Sequence, residues 1–126
     1  MAGNSVLFDP TMRGLAEALT FHQRRHEVLA SNLANVETPG YRAQELDFAS
    51  ALKDAFRASD ESAGPASMAP PAVVADASAP PRADGNTVDV DLQMAKLSAN
   101  AGRYVALGRI LQQRIAQLRY AVENTR

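Results

Sequence analysis

Hydrophobic positions recur every three or four residues along both ends of the chain. In the N-terminal part, apolar residues and two histidines alternate spacings of four and three from Phe8 to Val36. This pattern is typical of a helix that packs along another helix. Asp9 followed by Pro10 predicts the start of this helix, and the Thr-Pro-Gly sequence at 38–40 predicts its end near residue 36.

The C-terminal part repeats the alternation from Val90 to Val122 and predicts a second long helix. Asn86 or Thr87 is the expected N-cap of this helix. A short third helix is predicted over 47–57, because apolar residues recur at four-residue spacing after a capping aspartate.

The segment 58–86 differs in composition from both ends. It contains five of the seven prolines together with many alanines and serines. Such a stretch buries too little apolar surface to offset its ordering entropy, which predicts a flexible linker. Shortening it by a few residues within 66–80 should then change little. The alternative interpretation is a segment that orders against partner subunits.

The predicted fold class is therefore all-α. Two long terminal helices pack as an antiparallel coiled-coil-like pair, with a short middle helix and an irregular Pro/Ala-rich middle segment. Residues 1–57 and 87–126 form one discontinuous helical domain, and 58–86 links them. Two helices alone leave parts of their apolar stripes exposed, which predicts self-association. The residues expected to pack between subunits are Leu15, Leu19, Leu29, Leu33, Val36, Met94, Leu97, Tyr104, Leu111, Ile115 and Leu118.

Composition narrows the functional classes. The 126 residues carry a formal net charge of −1, which argues against nucleic-acid binding driven by bulk charge. The absence of cysteine excludes disulfides, thiolate catalysis and cysteine metal sites. No apolar run is long enough for a membrane span, and the first ten residues lack the features expected of a cleavable signal peptide.

Few residues suggest chemistry. His22 and His26 have the spacing of helical zinc ligands, but Gln23 stands where a metalloprotease has glutamate and no third ligand is evident. We therefore interpret both histidines as polar positions in a packing seam. Ser50 and Lys53 match a Ser-x-x-Lys pattern that has no companion motif. The acidic turn at 84–91 lacks the spacing of a calcium loop. No active site and no cofactor are predicted.

The sequence SNLANVETPGY at 31–41 is far more specific. The amides of Asn32 and Asn35 should bond to backbone where the chain leaves the helix. Gly40 should adopt a backbone conformation that a side chain would strain. The ring and hydroxyl of Tyr41 should anchor the outgoing segment against a neighbouring subunit.

This sequence resembles the N-terminal motif of the bacterial flagellar rod and hook axial protein family. The long C-terminal helix and the DGNTVD run at 84–89 fit the same family. Distal rod and hook proteins carry a large β-rich insert for which 126 residues leave no room, so the similarity is to the members that form the proximal rod. The positions that match the motif are Asn32, Asn35, Thr38, Pro39, Gly40 and Tyr41.

The resemblance implies a structural, non-enzymatic subunit that self-assembles through its terminal helices into the torque-transmitting rod. It implies export through the flagellar type III apparatus and a place in the basal body, in the periplasmic space. The implied partners are further copies of the chain, the adaptor FliE, the MS-ring protein FliF and other rod proteins including FlgC. Neither nucleic acid nor a small-molecule substrate is implied, and the membrane is contacted only through the MS ring.

Two other classes remain open from the sequence. One is a soluble helical hairpin that acts as a chaperone-like or regulatory binding partner. The other is a small enzyme that uses Ser50 and Lys53 or the two histidines.

Overall fold

Two long helices form the body of the protein. The computed structural model describes residues 10–58 and 70–125. The predicted all-α class with a long helix at each end and a short one between them is confirmed, with two short strands added. In chain order the elements are α1 (Pro10–Ala34), β1 (Gln44–Leu46), α2 (Phe48–Ala58), β2 (Val73–Ala75) and α3 (Val90–Glu123).

Helix α1 begins at Pro10 as predicted; the proposed cap Asp9 lies outside the described residues. The helix ends at Ala34, slightly earlier than expected, because its last turn tightens. The Asn35 amide N–H lies 3.2 Å from the carbonyl oxygen of Ser31 and 3.1 Å from that of Asn32. Such shared bonds are common where an α-helix closes in a tighter turn.

The start of α3 corrects one prediction. Asp89 is the N-cap, and its carboxylate accepts from the Leu92 amide at 3.0 Å. Asn86 and Thr87 do not cap this helix, because their side chains bond to the first half of the chain. Asp47 does cap α2 as predicted, since its carboxylate accepts from the amides of the second and third helical residues.

The two long helices run antiparallel. His22 faces Asn100 and Asn32 faces Gln93, so residue numbers rise along α1 as they fall along α3. Continued at 1.5 Å per residue, this pairing places Pro10 beside about residue 112 of α3. The last turns of α3 therefore extend about 16 Å beyond the start of α1.

Strands β1 and β2 connect the Pro/Ala-rich segment to the helical body. They pair antiparallel, with Gln44 opposite Ala75 and Leu46 opposite Val73. Two further backbone bonds of 2.9 Å extend the pairing, from Asp76 to Ala43 and from Asp47 to Ala72. Residues 72–76 are therefore paired with the helical body and do not form a free linker. That shortening within 66–80 changes little stays a prediction, and this pairing argues against it for 72–76. Backbone hydrogen bonds to β1 and the contacts of the Asp76 carboxylate hold these residues in place. Neither can be deduced from the amino-acid composition of the segment.

The described core is small and unusually polar. Its buried apolar residues are Leu29, Ala43, Leu46 and Val88, and its buried polar residues are Asn32, Asn86, Thr87, Gln93 and Asn100. Buried polar groups require hydrogen-bond partners, so the packing of α1 on α3 depends on directional contacts as well as apolar area. No described helix is long and apolar enough to cross a membrane.

Candidate assembly interface

The turn after α1 is joined to the approach to α3 by one buried side chain. The Asn86 amide nitrogen donates to the carbonyl oxygens of Asn35 at 2.9 Å, Val36 at 3.0 Å and Thr38 at 2.9 Å. Carbonyls at a helix C-terminus have no partner within the helix, and Asn86 supplies one. Its own carbonyl oxygen accepts from the Val88 amide at 2.7 Å.

Backbone contacts complete this junction. Gly40 donates to the Asp84 carbonyl at 2.9 Å, and Thr87 donates to the Tyr41 carbonyl at 3.0 Å. Gly40 has a φ of +72°, so the predicted conformation that disfavours a side chain is confirmed. The guanidinium of Arg82 donates to the carbonyls of Val36 and Val88. The Thr-Pro-Gly turn thus forms a backbone junction between the ends of the two long helices.

Asn32 lies at the centre of the motif and is fully buried. Its side-chain nitrogen donates to the backbone carbonyl of Gln44 at 2.8 Å and to the side-chain oxygen of Gln93 at 3.0 Å. Its side-chain oxygen accepts from the backbone N–H of Gln44 at 2.9 Å. The predicted bonding of Asn32 and Asn35 to backbone is confirmed; the Asn35 amide reaches the Ser31 carbonyl at 2.8 Å.

Tyr41 differs from its prediction in one respect. Its hydroxyl donates to Asn32 Oδ1 at 3.3 Å, so it is used within the chain. A contact between subunits at this position would have to involve the half-exposed ring.

An ion-pair network links α1, both strands and α3. Arg25 contacts Glu45 through two nitrogens, at 2.8 and 3.1 Å. Lys96 Nζ lies 2.7 Å from Asp76 and 3.4 Å from Glu45. Together with Asn32 and Gln93, which donates to Asp76 at 3.2 Å, these residues form what we call the polar cluster: Arg25, Asn32, Glu45, Asp76, Gln93 and Lys96.

The pKa values of both carboxylates in the polar cluster are lowered. Burial by itself raises the pKa of Asp76, but hydrogen bonds from Lys96, Ser78 and Gln93 outweigh it and hold that pKa at about 2. Burial also acts to raise the pKa of Glu45, and the bond and charge of Arg25 overcome it. Both carboxylates are therefore ionised at neutral pH. Their directional partners fix the register of α1 against α3.

Of the residues that suggested chemistry, His22 and Ser50 have structural contacts. His22 Nδ1 lies 2.7 Å from Asn100 Oδ1, while the Asn100 amide donates to the His22 carbonyl at 2.7 Å. Because the Asn100 oxygen can only accept, His22 Nδ1 carries the hydrogen. Ser50 donates to the Asp47 carbonyl at the start of α2, and His26 and Lys53 are exposed. Among the described residues, no three potential ligands form a metal-binding group.

The residues predicted to pack between subunits fall into three classes. Leu29 is fully buried within its own chain, so it is not available to a neighbour and that assignment is wrong. The exposed class is Met94 at 57%, Tyr104 at 44% and Ile115 at 42%. The half-buried class is Leu15, Leu19, Leu33, Val36, Leu97, Leu111 and Leu118.

The exposed residues form one surface of α3. The apolar residues that alternate from Val90 to Val122 lie up to about a quarter turn around the α3 axis from Gln93 and Asn100. On α1, Leu15 and Leu19 are rotated about the helix axis away from Leu29, in the same direction as the α3 residues are rotated from Gln93 and Asn100. Because the two helices are antiparallel, equal rotations bring the two sets of apolar residues to the same side of the helix pair. We call the exposed part of this surface the α3 stripe: Val90, Met94, Tyr104, Ile115 and Val122.

One protein family matches the first long helix and the turn that follows it, which we call the Asn-rich turn (residues 31–41). The family described as "Flagella basal body rod protein" matches residues 12–42, which cover most of α1 and the whole turn. The chain is therefore related to the structural proteins of the flagellar rod.

Individual relatives define the family more closely. The chain is 37% identical over 111 residues to the flagellar basal body rod protein FlgB of Salmonella typhimurium, covering 76% of this chain and 80% of that protein. Identity to FlgB of Escherichia coli is 34% with the same coverage, and to FlgB of Bacillus subtilis it is 31%, covering 80% and 84%. The chain belongs to the FlgB family of flagellar basal body rod proteins.

Sequence reasoning missed the inner side of the helix pair. Asp76, Gln93 and Asn100 carried no expectation and Asn86 was expected only as an N-cap, although each makes a buried or partly buried contact between distant parts of the chain. One signal was present: Gln93 and Asn100 are seven residues apart, as are Arg25 and Asn32 on the other helix. Polar residues at heptad spacing in two paired helices favour matched contacts between them.

Proposed function

We propose that this chain is a subunit of the proximal rod that self-assembles through its terminal helices into the torque-transmitting axis of the flagellum. The observation that carries the proposal is the α3 stripe. Met94 is 57% exposed and Val122 is 64% exposed on a helix whose contacts with α1 are made largely by the polar side chains of Gln93 and Asn100. An exposed apolar surface of this extent favours association, while the polar cluster sets the shape of each subunit.

The proposed role is mechanical and involves no catalysis. Its proposed partners are further copies of the chain, FliE, FliF and other rod proteins including FlgC, and its proposed location is the periplasmic part of the basal body after type III export. The family membership and the resemblance of the Asn-rich turn to flagellar axial proteins support these assignments.

The test is a pair of substitutions on α3. Met94→Asp places a carboxylate in the α3 stripe, where burial against a neighbour would cost several kcal/mol, on the order of 3 or more. Ala95→Asp, one residue on, adds the same charge on an exposed position outside the stripe. In a strain lacking the wild-type gene, Met94→Asp should abolish swimming and incorporation into basal bodies, and Ala95→Asp should leave both intact.

Secreted amounts and the helix content of the purified chains should be matched before the two variants are compared. Motile flagella built from Met94→Asp at normal yield would contradict assembly through this surface. A discrete soluble complex with one partner, in place of rods, would favour the helical-hairpin alternative.

A further inference from the structure

A groove separate from the α3 stripe lies between α1 and α2. Its volume is about 450 Å³, and its floor includes Phe21 of α1 with Phe48 and Leu52 of α2. The rings of Phe21 and Phe48 meet edge to face with centroids 5.6 Å apart. Phe48 is 59% exposed and Leu52 is 44% exposed, so the groove is apolar and open on one side. Its size suits a few aliphatic side chains.

The border of this groove is acidic on balance. Glu17 of α1 and Asp54 of α2 line it, with Arg24 also present. His22 contributes to the lining, and its ring is held by Asn100. A partner that fits should therefore combine aliphatic side chains with positive charge.

The C-terminal end of α3 has this combination. Residues 107–123 contain three arginines and one acidic residue, Glu123, so this end of the helix carries a net positive charge. Ile115, Leu118 and Val122 are spaced three and four residues apart, the pattern by which a helix places one face in a groove. Arg119 is exposed and adjoins that face. From about residue 113 onward, this end of α3 extends beyond the level of Pro10 at the start of α1.

We propose that the C-terminal end of α3 from one copy occupies the α1/α2 groove of the next copy, with Ile115 and Val122 on the groove floor and Arg119 facing Asp54. The inference rests on the proposed function and names the contact through which copies join. Donor and acceptor are different surfaces, and such head-to-tail contacts generate helical assemblies instead of closed dimers. The contact cannot form within one chain, because Val122 lies about 30 Å along the helix axis from the level of Phe21 on the groove floor.

Charge reversal tests the ion pair. Asp54→Lys and Arg119→Glu should each reduce incorporation into basal bodies by about tenfold, because each places like charges opposite one another. The double variant Asp54→Lys/Arg119→Glu restores opposite charges and should return incorporation to within about twofold of wild type. Single variants without effect, or a double variant as defective as the product of the singles, would overturn the proposal.

Cross-linking tests the geometry, and the cysteine-free chain gives it a clean background. Full-length Leu52→Cys/Val122→Cys should form disulfide-linked multimers on mild oxidation, in assembled basal bodies and in the concentrated purified protein. Leu52→Cys/Tyr120→Cys is the matched control, because Tyr120 is 70% exposed on the opposite side of the same helix end. A disulfide needs Cα atoms within about 7 Å, so the control should stay monomeric.

The outcomes separate this proposal from the proposed function. Equal cross-linking of both pairs, no cross-linking of either, or a product with a different protein would overturn the groove contact. If Met94→Asp nevertheless abolished rod assembly, self-assembly through the terminal helices would remain supported even though the groove contact was wrong. If the Leu52/Val122 multimers formed only in purified protein and basal bodies lacked the chain, the rod function would fail instead.

Discussion

Asn86 holds the end of α1 and the approach to α3 together with one amide group. Its two hydrogens are shared among three carbonyl oxygens of the turn after α1, each of which accepts from one further donor. Asn86→Ala should lower the free energy of unfolding by about 2–3 kcal/mol, because a buried network loses its donor. Asn35→Ala is the control: its side-chain amide makes only two local bonds at the surface, to Ser31 and Thr38, so the loss should stay near or below about 1 kcal/mol.

Urea denaturation of the purified full-length variants, followed by circular dichroism, measures this difference. Comparable losses for Asn86→Ala and Asn35→Ala would show that the junction contributes no more than a surface contact does.

The lowered pKa of Asp76 predicts how the free energy of unfolding depends on pH. Burial raises its pKa, and the bonds from Lys96, Ser78 and Gln93 lower it to about 2, below the ordinary 3.8. A carboxyl group whose pKa is lower in the folded than in the unfolded state contributes its full stabilisation of the fold at pH values above its unfolded-state pKa. That contribution, on the order of 2 kcal/mol, is lost as the pH falls from about 4 towards 2.

The measurement is the free energy of unfolding against pH for wild type and Asp76→Asn. The variant should be less stable at pH 7, and the gap should narrow below about pH 4. Glu45 titrates in the same direction in both proteins, so some acid sensitivity remains in the variant. A gap that is constant from pH 7 to pH 2 would contradict the ion pair with Lys96.

At the scale of elements, the two short strands attach the Pro/Ala-rich segment to the helices. Deleting 73–76 removes β2 together with Asp76 and leaves Lys96 without its 2.7 Å partner. We expect a loss of about 3 kcal/mol or more and a motility defect. Deleting 62–65 removes the same number of residues from the part whose composition predicts a linker, and should cost little.

Thermal unfolding and swimming zones of the two deletions, at matched secretion, test this prediction. If the 73–76 deletion were as stable and motile as the 62–65 deletion, the strand pairing would have no role in stability or assembly.

At the scale of the whole molecule, α3 is held unevenly along its length. Gln93 and Asn100 bond to α1, whereas 119–123 lie beyond the start of α1 and are exposed. Amide hydrogen exchange in the dilute full-length protein should therefore be slower over 93–100 than over 115–123. In assembled rods the last turns should become protected, because a neighbour then covers them.

Uniform strong protection along α3 in the monomer would show that the chain alone stabilises its C-terminal end. Unchanged exchange at 115–123 after assembly would show that no neighbour covers it.

Local sequence predicted the elements well because their causes are local. Pro10 begins α1, Asp47 caps α2, and the apolar periods of α1 and α3 extend over most of each helix. Gly40 and the asparagines of the turn also act within a few residues of their positions, so their roles could be inferred before the structure was known.

The tertiary structure decided which faces meet. His22 and Asn100 are 78 residues apart, and Asn86 and Asn35 are 51 apart; no local pattern pairs them. The apolar stripe that suggested the helix contact remains partly exposed, while polar residues occupy much of the inner face. The physical reason is that apolar burial is non-directional and tolerates several pairings, whereas a buried amide or ion pair is stable only opposite its partner. The sequence by itself determined the helices, the turn and the family, and only the three-dimensional pairing of distant polar groups decided the register of the helices and the surface left for neighbours.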